Sequence, residues 1–286
     1  RACPGLLQSM LMTIYDEYAP FYDGSGQIRF AILMGQYLTE VLERHPVAGR
    51  RALDLACGTG TLALILADRG WQVVGADASP SMLALARSRA AQSDTPERLH
   101  FVQADMRDLA ISDAGERHSW WSEAGQPWAG AFDLALCTYD SLNYLLSAEE
   151  LGACFQQVAA LVRPGGLFVA DMNTRHFLEH DWGEYEVLEQ PGFVQVTQSS
   201  FDPANATSIM LLSGFVGDDT HGYRRFDETH IERAYPPGEV ATLLRAARFH
   251  VEATYECFTF DPLHERAQRA AWVARRRTDD LPTEGE

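Results

Sequence analysis

The stretch "LDLACGTGTLAL", residues 53–64, sets a carboxylate, Asp54, four positions before Gly58, in a turn joining an apolar strand to an apolar helix. Two more acids recur at similar points of the pattern: Asp77 closes "WQVVGAD" and Asp105 closes "LHFVQAD". A glycine turn at a helix N-terminus offers backbone N–H groups and lets a ligand come close. Gly58-x-Gly60-x-x-Ala63, with Asp77 about 20 residues past the first glycine, fits the dinucleotide fingerprint loosely, so NAD is allowed on spacing alone. Asp54 argues against it. A diphosphate would bring negative charge beside that carboxylate, whereas the ammonium group of an amino acid would be attracted.

Three acids at neighbouring strand tips can meet one elongated cationic ligand at its amino acid, ribose and adenine, which points to S-adenosylmethionine (SAM). The tips exist only if the chain forms a parallel sheet, and its pattern predicts one. "RALDLA", "WQVVGAD", "LHFVQAD", "FDLALCTY" and "LFVADMN" read as strands, alternating with helices "TLALILADRG", "SPSMLALARSRAA" and "SAEELGACFQQVAALVRPGG". Ser79-Pro80 is a helix start, and Pro164-Gly165-Gly166 is read as a helix stop. Residues 184–235 break the alternation: "FVQVTQSSF", "TSIMLLSGFV" and "YRRFDETHIERAY" are separated by tight turns and predict an antiparallel sheet. "GEVATLLRAARF" then predicts a helix, "HVEATYECF" a strand and "RAAWVARR" a final edge strand. The expected division is a core over 12–183 with an N-terminal helical lid, the antiparallel insertion over 184–235, a completing segment over 236–276 and a disordered tail over 277–286. Residues 112–130 carry Trp120, Trp121 and Trp128 and are read as a long surface loop.

With 286 residues and 46% hydrophobic content the chain can bury a large core. Its 40 acidic and 23 basic residues give a formal charge of −17, which disfavours nucleic acid and anionic membrane surfaces as partners. Five scattered cysteines without a C-x-x-C pair read as reduced thiols, and no signal peptide or long apolar run is seen, so a cytoplasmic protein is expected. A homodimer is allowed. "HFLEH" gives His176, Glu179 and His180 the H-x-x-E-H zinc spacing, but the segment is short and has no evident third ligand, so no metal is expected.

The sequence resembles the class I SAM-dependent methyltransferases. "LDLACGTG" is similar to their first motif, "DASPSMLALAR" to their second, and "YDEYAPFYD" (Tyr15 to Asp23) to the N-terminal signature of small-molecule members. "FDLALCTYDSLNYL" and "LVRPGGLFVADMN" look like the fourth and fifth strand segments, and the insertion with "RRFDETHIERAY" is similar to methyltransferases of the aminosugar N,N-dimethyltransferase type. The resemblance implies a doubly wound, mostly parallel Rossmann-like sheet with an antiparallel insertion after the fifth strand. It also implies that Ala56, Gly58 and Gly60 meet the methionine portion, Asp77 the ribose, and Met82, Asp105 and Met106 the adenine; Asp54 and Ala78 are further expected cofactor contacts. Cys137 would lie near the methionine end, and Tyr15 and Tyr22 would form a lid.

Methyl transfer from a sulfonium is a direct displacement, so the protein must align the acceptor, exclude water and take up a proton. Catalytic candidates are His230, preferred as the base, with Asn143 and Tyr22; acceptor contacts are expected from Tyr144, Asn173, Arg225 and His230. Asp171 and Glu232 are further possibilities, and Asp140 and Ser141 fit either capping or acceptor contact. The acceptor is expected to be a small molecule methylated on nitrogen or oxygen. A SAM-binding regulatory or scaffold module and an NAD-dependent oxidoreductase are the alternatives.

Overall fold

The apolar runs become buried strands: β1 (Arg51–Leu55), β2 (Gln72–Asp77), β3 (Leu99–Gln103), β4 (Phe132–Cys137) and β5 (Val162–Asn173). The computed structural model describes residues 14–109, 130–218 and 220–278. All six residues of β4 are buried, as expected for a central strand covered on both faces. β1 pairs in parallel with β2 and β4, β2 with β3, and β4 with β5. The sheet is completed antiparallel by β10 (Phe249–Glu256) and β11 (Arg269–Arg276), giving the order β10-β11-β5-β4-β1-β2-β3. The chain reverses its winding between β1 and β4, and the crevice beyond their carboxyl ends is where such sheets hold ligands.

Helices cover both faces. α1 (Ile28–Arg44), α2 (Thr61–Asp68) and α3 (Pro80–Ala90) bury Leu38, Leu66 and Leu83 against one face. α4 (Ala148–Leu161) and α5 (Pro237–Ala246) bury Phe155 and Leu244 against the other. The α3 start is fixed as its sequence predicts: the Ser79 hydroxyl accepts from the Met82 N–H at 3.2 Å, with Pro80 in the first turn.

A second, antiparallel sheet follows β5: β6 (Tyr185–Gln190), β7 (Phe193–Asp202), β8 (Thr207–Asp218) and β9 (Gly222–Arg233). Its inner face packs Phe193, Leu212 and Phe226 against Tyr18 of the N-terminal segment, which carries a helical turn at Ala19–Tyr22.

Three expectations are corrected. The helix read through Gly166 ends at Leu161, and Pro164-Gly165-Gly166 forms an irregularity inside β5, with partners jumping from Phe132↔Val162 to Leu134↔Leu167. "RAAWVARR" is not an edge strand; β11 lies between β10 and β5, and its Ala270–Ala274 core is buried while β10 forms the edge. β6 was not anticipated, although Pro191-Gly192, with Gly192 at φ +80°, is a hairpin signal between "YEVLEQ" and "FVQVTQ". The Trp-bearing stretch lies outside the described residues up to position 129, as does the tail from residue 279.

Gly75 on β2 is dictated by packing: a Cβ there would stand 2.6 Å from the Phe101 ring and 2.9 Å from the Cys57 Sγ. Gly75→Ala is expected to cost about 1–3 kcal/mol through overpacking, seen as a thermal melt lowered by several degrees.

Candidate active site

A cavity of about 1030 Å³ opens beyond the carboxyl ends of β1 to β5 and continues beneath the inner face of the second sheet. Its first half is the glycine turn. Ala56, Gly58 and Gly60 all have left-handed backbone, at φ +52°, +54° and +77°. The turn is held from below by Asp77, whose carboxylate accepts from the Gly58 N–H and the Ser79 N–H, both at 2.8 Å. A Cβ on Gly58 would meet nothing within 4 Å, so the backbone there faces open cavity. Asp54 is buried and lines the same space. Burial, with the charge of Asp77 beside it, pushes its carboxyl up to about 7. Asp105 sits two residues past β3, half exposed and ion-paired with Arg107 at 2.5 Å, a bond that holds its carboxyl below the usual range.

The second half is walled by the loop after β4, the end of β5 and the inner residues of β7 to β9. The Tyr144 hydroxyl lies 3.0 Å from that of Tyr15 and 2.9 Å from His230 Nδ1. Nε2 of the buried His230 has no hydrogen-bond partner and stands 3.4 Å from Glu228 Oε2. Glu228 also accepts from the backbone N–H groups of Tyr15 and Tyr18, at 3.0 and 3.2 Å, which fastens the N-terminal segment to β9. Arg269 of β11 binds Asp140 at 2.6 Å and Asp171 at 2.5 Å. Asp171 accepts in turn from the Tyr139 and Asp140 N–H groups, holding both residues in left-handed backbone at φ +61° and +51°. Glu232 accepts from Asn173 Nδ2 at 2.8 Å, and Asn173 Oδ1 is buried without a partner.

The cavity brings together Tyr15, Tyr22, Asp54, Ala56, Gly58, Asp77, Ala78, Met82, Asp105, Met106, Tyr144, Asn173, His230 and Glu232. Four expected residues are elsewhere. Gly60 is turned away, because a Cβ on it would press Phe101 at 2.9 Å and Ala86 at 3.1 Å; its task is helix packing. Cys137 ends β4 with its side chain in the core, and Thr138 and Tyr139 take the cavity positions. Asn143 spends its amide on backbone, donating to the Asn173 and Arg233 carbonyls and accepting from the Asn173 N–H. Arg225 is on the outer face of β9, bound to Asp227 at 2.7 Å; an odd separation from His230 puts the two on opposite faces. Asp171 also lies behind the cavity wall. In "HFLEH", Glu179 is paired with Arg175 at 2.9 Å.

Arg269, Tyr139, Gln27 and Gln195 line the cavity without having been anticipated. Arg269 is legible only once β11 is known to run antiparallel to β5, which sets Arg269 opposite Asn173 at the ligand end. Among the described residues the walls carry eight carboxyl side chains (Asp16, Asp23, Asp54, Asp77, Asp105, Asp140, Glu186 and Glu232) and two guanidinium groups, on Arg107 and Arg269.

Residues 52–166 match the Methyltransferase domain family. The chain is 30% identical over 221 residues to the demethylmenaquinone methyltransferase of Thermus thermophilus, covering 77% of this chain and 80% of that protein. It is 29% identical over 240 residues to the dTDP-3-amino-3,4,6-trideoxy-alpha-D-glucopyranose N,N-dimethyltransferase of Streptomyces venezuelae, covering 83% and 90%. A crystal structure of a S-adenosylmethionine-dependent methyltransferase from Clostridium acetobutylicum superposes with a TM-score of 0.74 over 92% of this chain and 99% of that one, at 23% identity. The chain belongs to the SAM-dependent methyltransferases, with SAM as cofactor and a Rossmann-like fold. That sets aside both the dinucleotide oxidoreductase and the non-catalytic module. The cavity fits a sulfonium amino acid: among the described residues its lining holds more carboxyl than guanidinium groups, and Gly58 leaves the backbone open.

We propose that Asp54 meets the ammonium group of SAM. In the folded chain its carboxyl stays protonated to about pH 7, well above the usual 3.8, so ionising it costs free energy as pH rises through that window. Only the ionised form attracts the cation. SAM affinity is expected to rise more than tenfold from pH 5 to pH 7, where an α-amino group remains charged, and Asp54→Asn should flatten the profile in calorimetric titration.

Proposed function

We propose that this methyltransferase acts on the nitrogen of a small amine. The observation that carries this reading is the excess of carboxylates around the cavity, which favours a cationic acceptor beside a cationic methyl donor and disfavours an anionic one. When bound, SAM supplies a methyl group activated by the positive sulfur. We assign Asp77 and Ala78 to its ribose side, Met82, Asp105 and Met106 to its adenine side, and Tyr15 and Tyr22 to a lid.

His230 takes the acceptor's proton in this reading. Its Nδ1 is joined to the Tyr144 hydroxyl, so a proton leaving the amine can pass to Tyr144 oxygen as that hydroxyl's own proton moves to Nδ1. The Glu228 carboxylate, 3.4 Å from Nε2, then stabilises the imidazolium. Tyr15 and Tyr144 hold ordinary neutral phenols, since burial raises both well above the usual value.

The test is S-adenosylhomocysteine formation with a panel of primary and secondary amines, including aminosugars, against the alcohols of matching shape. Amines are expected to turn over and alcohols not. His230→Gln should lower kcat on the best amine by about 10²-fold or more with KM little changed. Turnover confined to alcohols would overturn the reading.

A further inference from the structure

At the floor of the acceptor half, three carboxyl groups share one guanidinium. Arg269 binds Asp140 and Asp171, whereas Glu232, buried on β9, takes its hydrogen bond from Asn173 and lines the cavity together with Asp140. A buried carboxyl without a bound cation favours its neutral form. The charge of the neighbourhood agrees. Asp171 stands close by on β5, Arg269 is the guanidinium of the group, and the neighbouring phenols Tyr15 and Tyr144 supply no cation. Burial first, and the Asp140 charge second, hold the Glu232 carboxyl well above the usual carboxylate range.

A second observation, independent of the acids, points to a ligand. Asn173 is 4% exposed and lines the cavity, and its amide nitrogen is spent on Glu232 while Oδ1 has no partner. A buried amide oxygen without a donor is costly, and the missing donor must come from the cavity. One wall therefore presents a carboxyl group able to become a carboxylate and an orphaned acceptor bonded to it through the same asparagine.

We propose that Glu232, Asp140 and Asn173 form a receptor for an ammonium group, in which Glu232 gives up its proton when the cation enters. The exchange balances: the ligand brings one positive charge as R–NH3+, donating to Glu232 and to Asn173 Oδ1, and Glu232 releases one H+ to solvent. No bond to carbon changes. Glu232 acts here as the specificity-determining residue, and His230 keeps the separate task of taking the proton that the bound ammonium must lose. The proposal rests on the amine reading above and adds the charge state in which the acceptor is held.

Infrared difference spectroscopy on the full chain saturated with S-adenosylhomocysteine tests it, with methylammonium chloride as probe and methanol as its neutral counterpart. At pH 7 a protonated-carboxyl C=O band is expected, shifted by [13C]glutamate labelling in cell-free synthesis and absent in Glu232→Gln. Methylammonium should abolish this band and methanol should leave it. In turnover, Glu232→Gln should raise the amine KM at least tenfold while changing kcat less. A band that is missing from the resting protein, or that survives saturating methylammonium, overturns the proposal, and the labelling decides this even if the variant does not fold. If methylammonium removes the band but no amine is methylated, the receptor stands and the amine reading of the activity falls.

Discussion

An excess of carboxyl over guanidinium groups around one cavity is the constraint on which the site depends. Carboxyl groups stand at the tips of β1 and β2, after β3 and β4, and on β9; burial raises those of Asp54, Asp77 and Glu232, and among the described lining residues they outnumber the guanidiniums. A cation entering such a space is stabilised more than it would be in water. The same field works against a diphosphate, which is why a glycine turn resembling the dinucleotide fingerprint serves a sulfonium compound.

The second constraint is backbone satisfaction. Asp77 and Asp171, near the ends of β2 and β5, bind backbone groups of a neighbouring turn, and Asn143, in the turn after β4, ties that turn to the ends of β5 and β9. They make the turns rigid enough to keep left-handed residues such as Ala56, Tyr139 and Asp140 in place. Tyr139 is then stacked on Phe30 at 4.1 Å and hydrogen-bonded to Gln27, so the loop after β4 and the start of α1 support each other.

Much of this was legible from residue order alone. Apolar runs of strand length, Ser79-Pro80 and the acid after each strand located the sheet and the cofactor half, because those features depend on local pattern. The acceptor half was less legible. Asn143 looked like a catalytic group since its burial and its three backbone partners are tertiary facts, and Arg225 was included although its parity with His230 already placed it outside. Gly60 belongs to the same motif as Gly58, but only the position of Phe101 reveals that one glycine serves packing and the other the cavity. Arg269 escaped because a charge at a strand start is unremarkable until the strand's neighbour and direction are known.

The placement of β11 also bears on the acceptor half. Asp140 follows β4 and Asp171 lies on β5, strands that pair with each other, but their counter-charge comes from far later in the chain, on a strand that inserts between β5 and β10. Without that strand the two acids lack their shared guanidinium, and the turn that carries Tyr139 and Asp140 keeps its bonds to Asp171 but not the one to Arg269. Placing β11 in the sheet therefore also completes the charge pairing at the floor of the acceptor half.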